Sequence, residues 1–145
     1  MKLDRTTPPI VRQMEGFAIA RPERRRMKNG IPLNIIRAGS QEVVRLDVLI
    51  GAGQWHQTQS LQAMFTNRML REGTDTLTSA QIAEKLDYYG AWLELSSSPN
   101  CAFITLYSLN KYFHHTARII ADMLMHPTFP EKELEVVLEA NRQQF

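Results

Sequence analysis

Residues 42–50 read EVVRLDVLI. Val44, Leu46, Val48 and Ile50 fall on every second position, the period of a β-strand with one face buried. Such a strand cannot stand alone. Its apolar face needs a covering layer, and its backbone needs partners at its edges. The rest of the chain has to supply more strands and a set of amphipathic helices.

Both are legible. Lys28-Asn29-Gly30-Ile31 lies between strand-like runs at 24–27 and 33–37. Asn-Gly in that setting predicts a hairpin, because both turn residues tolerate positive φ. Gly39-Ser40 marks the next turn. A helix is predicted over 58–71, with Leu61, Phe65 and Met69 as a ridge toward the core. Thr78-x-x-Gln81 has the spacing of a capping box. It opens a helix through Tyr89, with Ile82, Leu86 and Tyr89 inward and Gly90 at its C-terminal end. Residues 91–96 and 101–109 read as strands around Ser97-Ser98-Pro99-Asn100. A helix over 112–125 carries Phe113, Ala117, Ile120 and Leu124 on one stripe. Thr128-x-x-Glu131, with Pro130 in the first turn, starts the last helix. Glu131, Glu133 and Glu135 suit its positive dipole end.

The order is β-β-β-α-α-β-β-α-α, and hairpins replace any regular βαβ alternation. That predicts an α+β fold with an antiparallel sheet. Residues 1–20 read as an extended arm, polar at its start and containing Pro8-Pro9, and 21–145 as the N-terminal portion of one truncated domain. Residues 141–145 carry no helix stop signal, so the chain is expected to end inside a helix as part of a longer domain.

Charge and cysteine content exclude several functions. A net charge of +2 over 145 residues gives no polyanion-binding field, so no nucleic-acid partner is expected. The basic stretch Arg21, Arg24, Arg25, Arg26 and Lys28 is interrupted by Glu23 and reads as a solvated strand edge. With Cys101 as the one cysteine, neither an intrachain disulfide nor a cysteine zinc site can form. Its apolar surroundings predict a buried structural thiol. No apolar stretch predicts a membrane span or a secretory signal. The expected location is the cytoplasm, or the periplasm if a signal has been removed.

Residues 60–74, SLQAMFTNRMLREGT, put Met64, Asn67 and Arg68 on one helical face. Together with other stretches this segment resembles the N-terminal part of the pitrilysin/insulinase-type zinc peptidases, which include the mitochondrial processing peptidases. NGIPLNII is similar to that family's hairpin strand, and RLDVLIGAG to its next strand and glycine turn. MLREGT resembles the end of its zinc helix. TSAQIAEKLDYYGAWLELSSSPNCAFITLYSL is similar to its helix-glycine-hairpin unit, and MLMHPTFPEKELE to its helix-Pro-Phe-Pro-helix junction. The resemblance implies the antiparallel α+β fold of the LuxS and processing-peptidase metallohydrolases.

The family's chemistry resides in H-x-x-E-H on the first helix. Two histidines hold zinc, and the glutamate activates water. A third ligand, also a glutamate, follows about 75 residues downstream. Anchored on MLREGT, the resemblance places Met64 and Arg68 at the histidine positions, Asn67 at the glutamate, and Gln143 or Gln144 at the downstream ligand. Arg68 has no lone pair to donate. A guanidinium about 4 Å from Zn²⁺ would be repelled by about 8 kcal/mol at an effective dielectric near 20. The Met64 thioether is a poor match for zinc beside oxygen ligands, and Asn67 cannot take a proton from water. No zinc and no catalytic residue are therefore expected in this chain. His56, His114, His115 and His126 offer no alternative helical ligand pair. No G-x-S-x-G context marks a nucleophile. Replacing Met64 and Arg68 by His, Asn67 by Glu and Gln144 (or Gln143) by Glu should rebuild a zinc ligand set without useful turnover.

The resemblance implies a non-catalytic homologue or subunit of a zinc-dependent processing peptidase. Its expected partners are an active subunit bearing H-x-x-E-H and the zinc, and an extended peptide enclosed between them. Asn67 and Arg68 would face that chamber or the solvent. The alternative is a stand-alone structural or binding module of the same fold with no part in proteolysis. An uncovered sheet edge would also lead the chain to self-associate.

Overall fold

A computed structural model describes residues 16 and 18–143. Most of the expected N-terminal arm, and Gln144, lie outside the described residues. The chain divides into two compact units, Met1–Gln41 and Glu42–Phe145.

The first unit holds a two-stranded antiparallel hairpin, β1 (Glu23–Arg26) and β2 (Pro32–Ile35). The turn is not the two-residue type that Asn-Gly suggests. Gly30 N donates to Met27 O at 2.9 Å, and Met27 N donates to Ile31 O at 2.8 Å. Of Asn29 and Gly30, only Gly30 has positive φ, at 88°. This is a three-residue loop, in which a tight turn is followed by a left-handed glycine that restores the strand twist. The side chains of β1 are all exposed, and Arg25 Nε donates to Glu23 at 2.7 Å, as a solvated edge requires.

In the second unit β3 (Val43–Ile50), β4 (Trp92–Ser97) and β5 (Ala102–Leu109) form an antiparallel sheet ordered β3-β5-β4. Registers Leu46↔Leu106↔Leu93 and Val48↔Ile104↔Leu95 bring the apolar alternations onto one face. The expected α+β order is thus present, with α1 (Gln62–Met69), α2 (Ser79–Tyr88), α3 (Phe113–Met125) and α4 (Glu131–Arg142). Ile82 and Leu86 from α2 pack with Ile119, Ile120 and Met123 from α3 on Ile104 and Leu106. Capping at α2 is as expected. Gln81 N donates to Thr78 Oγ1 at 3.3 Å, and Thr78 N donates to Gln81 Oε1 at 3.0 Å.

Other expectations are corrected. The first helix covers Gln62–Met69 rather than 58–71, and Leu61 precedes it in a left-handed conformation at φ 68°. Leu61 is exposed, and the buried positions of α1 are Ala63, Asn67 and Met69. In α3 the buried stripe is Thr116, Ile119, Ile120 and Met123, with Phe113, Ala117 and Leu124 on its flanks. Thr116 fits there because its hydroxyl meets Ser108 Oγ at 2.9 Å. Thr128 does not cap α4. Pro130 occupies the cap position and has no side-chain acceptor to offer. Cys101 is half-buried in the β4–β5 turn, where its N–H donates to Ser98 Oγ at 3.1 Å.

One polar cluster ties the α1–α2 loop to the end of α3. Asp122 accepts from Thr74 Oγ1 at 2.6 Å, from Thr76 Oγ1 at 2.8 Å and meets His126 Nδ1 at 3.0 Å. The Thr74 hydroxyl, then that of Thr76, hold the Asp122 carboxyl below the usual carboxylate range. A depressed carboxyl stabilises the fold above its unfolded pKa of about 3.9, and that contribution is lost as pH falls through the folded value. Asp122→Ala should cost about 2 kcal/mol at pH 7, since it removes hydrogen bonds to a charged, partly solvated group. Urea unfolding of both proteins at pH 7 and pH 3 checks this. The difference between them should shrink at pH 3, and an unchanged gap would remove the carboxylate from the account.

Candidate functional site

Helix α1 carries Met64, Asn67 and Arg68, which the resemblance sets at the motif positions, and its two flanks treat them differently. Met64 and Arg68, one turn apart, are half-buried. Arg68 points toward α4, where its Nη1 donates to Asn141 Oδ1 at 3.2 Å. Arg68 and Asn141 help to line a cavity of about 280 Å³ with Arg71, Glu72, Leu95 and Val137. Glu72 is held from two sides, by Arg71 Nε at 3.3 Å and Ser79 Oγ at 2.7 Å.

Asn67 does not face solvent, one of the two placements expected for it. It is 3% exposed. Its Nδ2 donates to Ser96 O at 2.6 Å and to Phe103 O at 3.3 Å, tying the helix to the β4–β5 hairpin. Its Oδ1 is buried without a partner. Asn67 also borders a more apolar cavity of about 320 Å³ with Ile50, His56, Ala63, Leu70 and Ala102.

Gln143 is exposed and reaches back to Glu139 at 3.5 Å, while Gln144 lies outside the described residues. The residue that α4 brings to Arg68 is Asn141. Helix phase could have found it. Val137 and Asn141 are one turn apart on one face, and Gln143 lies about 200° further round than Asn141 at 3.6 residues per turn.

Zinc does not fit this set of side chains. Arg68 presents only donors and a positive charge, Asn141 uses its oxygen on that guanidinium, and Asn67 spends its amide on sheet carbonyls. Among the described residues, no group of three His, Cys, Asp or Glu side chains could hold a metal ion. Nor does any described helix have the length and apolarity to cross a membrane.

The second unit is an antiparallel sheet backed by helices, with Met64, Asn67 and Arg68 on the first of them. Residues 35–145 match the model of Insulinase (Peptidase family M16), and the chain belongs to that family. It is 27% identical over 110 residues to the uncharacterized zinc protease YmxG of Bacillus subtilis, covering 74% of this chain and 27% of that protein. Two solved structures share the fold. One is a peptidase M16 inactive domain from Pseudomonas fluorescens, with a TM-score of 0.74 at 23% identity, covering 80% of this chain and 29% of that one. The other is a protease from Helicobacter pylori, with a TM-score of 0.77 at 16% identity, covering 88% of this chain and 32% of that one. The chain therefore spans under a third of the length of each of these proteins.

Proposed function

We propose that this chain is a non-catalytic member of the peptidase family that helps an active, zinc-bearing partner to enclose extended peptide. The observation that supports this most directly is the Arg68–Asn141 hydrogen bond. It commits Arg68, which the resemblance sets at a histidine position, to a neutral amide, and a guanidinium has no lone pair to offer a metal. Among the described residues, the part of α4 that meets Arg68 is Asn141. The fold is kept while the groups that bind metal and activate water are replaced.

The peptide would meet walls and an open strand. Strands β3 and β4 are the edges of the three-stranded sheet, and an edge can pair with an added strand. The same edges would let the chain pair with a second copy of itself.

Metal analysis of the purified chain should find no stoichiometric zinc. Digestion of casein or insulin chain should proceed at the buffer rate. Mixed with its active relative from the same source, the chain should co-elute with it in size-exclusion chromatography. Tight zinc with chelator-sensitive cleavage by this chain alone would overturn the reading. Failure to co-elute would favour a free-standing module.

A further inference from the structure

The geometry points to a specific task for the cavity between α1 and α4: it seats a carboxylate of an extended peptide on the Arg68 guanidinium. This deepens the peptide-enclosing reading and rests on it.

Arg68 is half-buried, and among the described residues it forms no ion pair with any Asp or Glu. Among the described residues its hydrogen-bond partner is the uncharged amide of Asn141. That bond fixes the guanidinium without neutralising it. A positive charge held part-way out of water, with donors to spare, favours an anion from outside. The forked N–H groups match a carboxylate in two parallel hydrogen bonds. Asn141 adds a further donor. Its Oδ1 serves Arg68, and its Nδ2 makes no hydrogen bond among the described residues.

Charge at the cavity selects the kind of anion. Arg68 and Arg71 line it together with Glu72, which leaves one positive charge in excess. Glu72 is already engaged by Arg71 and Ser79. One excess charge suits a monoanionic carboxylate, whereas a phosphate dianion would meet Glu72 unbalanced. Leu95, Val137 and Ala140 supply apolar wall for the aliphatic part of the residue that bears the carboxylate. A volume of about 280 Å³ accommodates a group the size of one amino-acid residue.

Two sources carry this chemistry, the C-terminal carboxylate of a peptide and an Asp or Glu side chain within it. Three fluorescent peptides of one extended sequence separate them. The first ends in a free carboxylate and has no acidic residue. The second is amidated with one internal Glu, and the third is amidated with no acidic residue. Anisotropy titrations with the chain should give at least one anionic peptide about 10-fold tighter binding than the neutral one, and the better of the two anionic forms identifies the source. Arg68→Gln should abolish the preference. Asn141→Asp should abolish it too, by supplying the carboxylate from within, and it does so without truncating any side chain. Equal binding of all three peptides by the unaltered chain would overturn the inference and leave the enclosure of peptide standing. So would a preference that survives both substitutions. Failure of every peptide to bind would take down the wider reading as well.

Discussion

Gly53→Ala should destabilise the second unit by about 3 kcal/mol or more, because one methyl group has nowhere to go. The reason is space rather than backbone freedom, since Gly53 has an ordinary φ of −83°. A Cβ placed there meets Asn100 C and stands 2.5 Å from both Cys101 N and Pro99 O. These are main-chain atoms of the β4–β5 turn, which cannot rotate aside as a side chain would. The close approach is held by two further bonds, Gln54 N to Ser98 O at 3.1 Å and Trp55 N to Pro99 O at 3.0 Å. To admit the methyl group, the loop after β3 must lift off the hairpin and give up both. A drop in Tm on the order of 10 °C is expected in calorimetry. Gly51→Ala is the control, because a Cβ there meets nothing within 4 Å. If the two variants melt together, the loop does not dock as described.

A second large effect is expected at Asn67. Asn67→Asp keeps the shape and removes the donor, so that a carboxylate faces Ser96 O and Phe103 O where Nδ2 stood. A carboxylate only accepts hydrogen bonds, and at 3% exposure water cannot compensate. We expect a loss of roughly 3 kcal/mol at pH 7, in line with an unpaired buried charge. The effect should depend on pH in a definite sense. Burial beside two carbonyls raises the folded-state pKa of the new acid above its unfolded value. The folded state then binds more protons, so stability falls as pH rises through the unfolded pKa, near 3.9, toward the folded one. Urea midpoints for the variant should recover toward the parent at pH 4 and worsen at pH 8. A flat pH response would mean that the side chain has swung out to solvent. The same reasoning revises what restoring the metal motif would do. Asn67→Glu places a longer acid in this buried position, so the fold would suffer before any zinc could be bound.

What could be read from the sequence was local. The Thr78–Gln81 cap involves residues three apart, and both of its bonds form. The alternation of Val44, Leu46 and Val48 depends on the period of a strand alone, and those three residues are half-buried. Less visible was anything set by a distant neighbour. Asn67 looked like a surface amide because its two acceptors lie in a hairpin about 30 residues further on. The ridge through Leu61, Phe65 and Met69 assumed that polar side chains point outward, whereas the buried positions are Ala63, Asn67 and Met69. At the last helix, counting residues from the motif pointed to Gln143 or Gln144. That Asn141 meets Arg68 depends on how α4 packs beside α1, which residue counting does not reveal. Thr128 failed as a cap for a simpler reason: Pro130 already stands at that position.

The pairing of β3 has a consequence for how the chain is made. Ile50 pairs with Ala102 and Val43 with Leu109, so β3 lies beside a strand that is synthesised much later. At ribosomal rates of about 5–20 residues per second, β3 waits on the order of several seconds for its partner. Throughout that interval VVRLDVLI emerges as an eight-residue stretch of high β-propensity with both edges unpaired. Arg45 and Asp47 interrupt it. In the finished fold they bond to each other at 3.0 Å, and Thr105 donates to Asp47 at 2.8 Å. On the nascent chain they are the two charges that keep one unfinished copy from zipping to the next. The pair that holds Thr105 in the finished fold thus has a use before there is a fold.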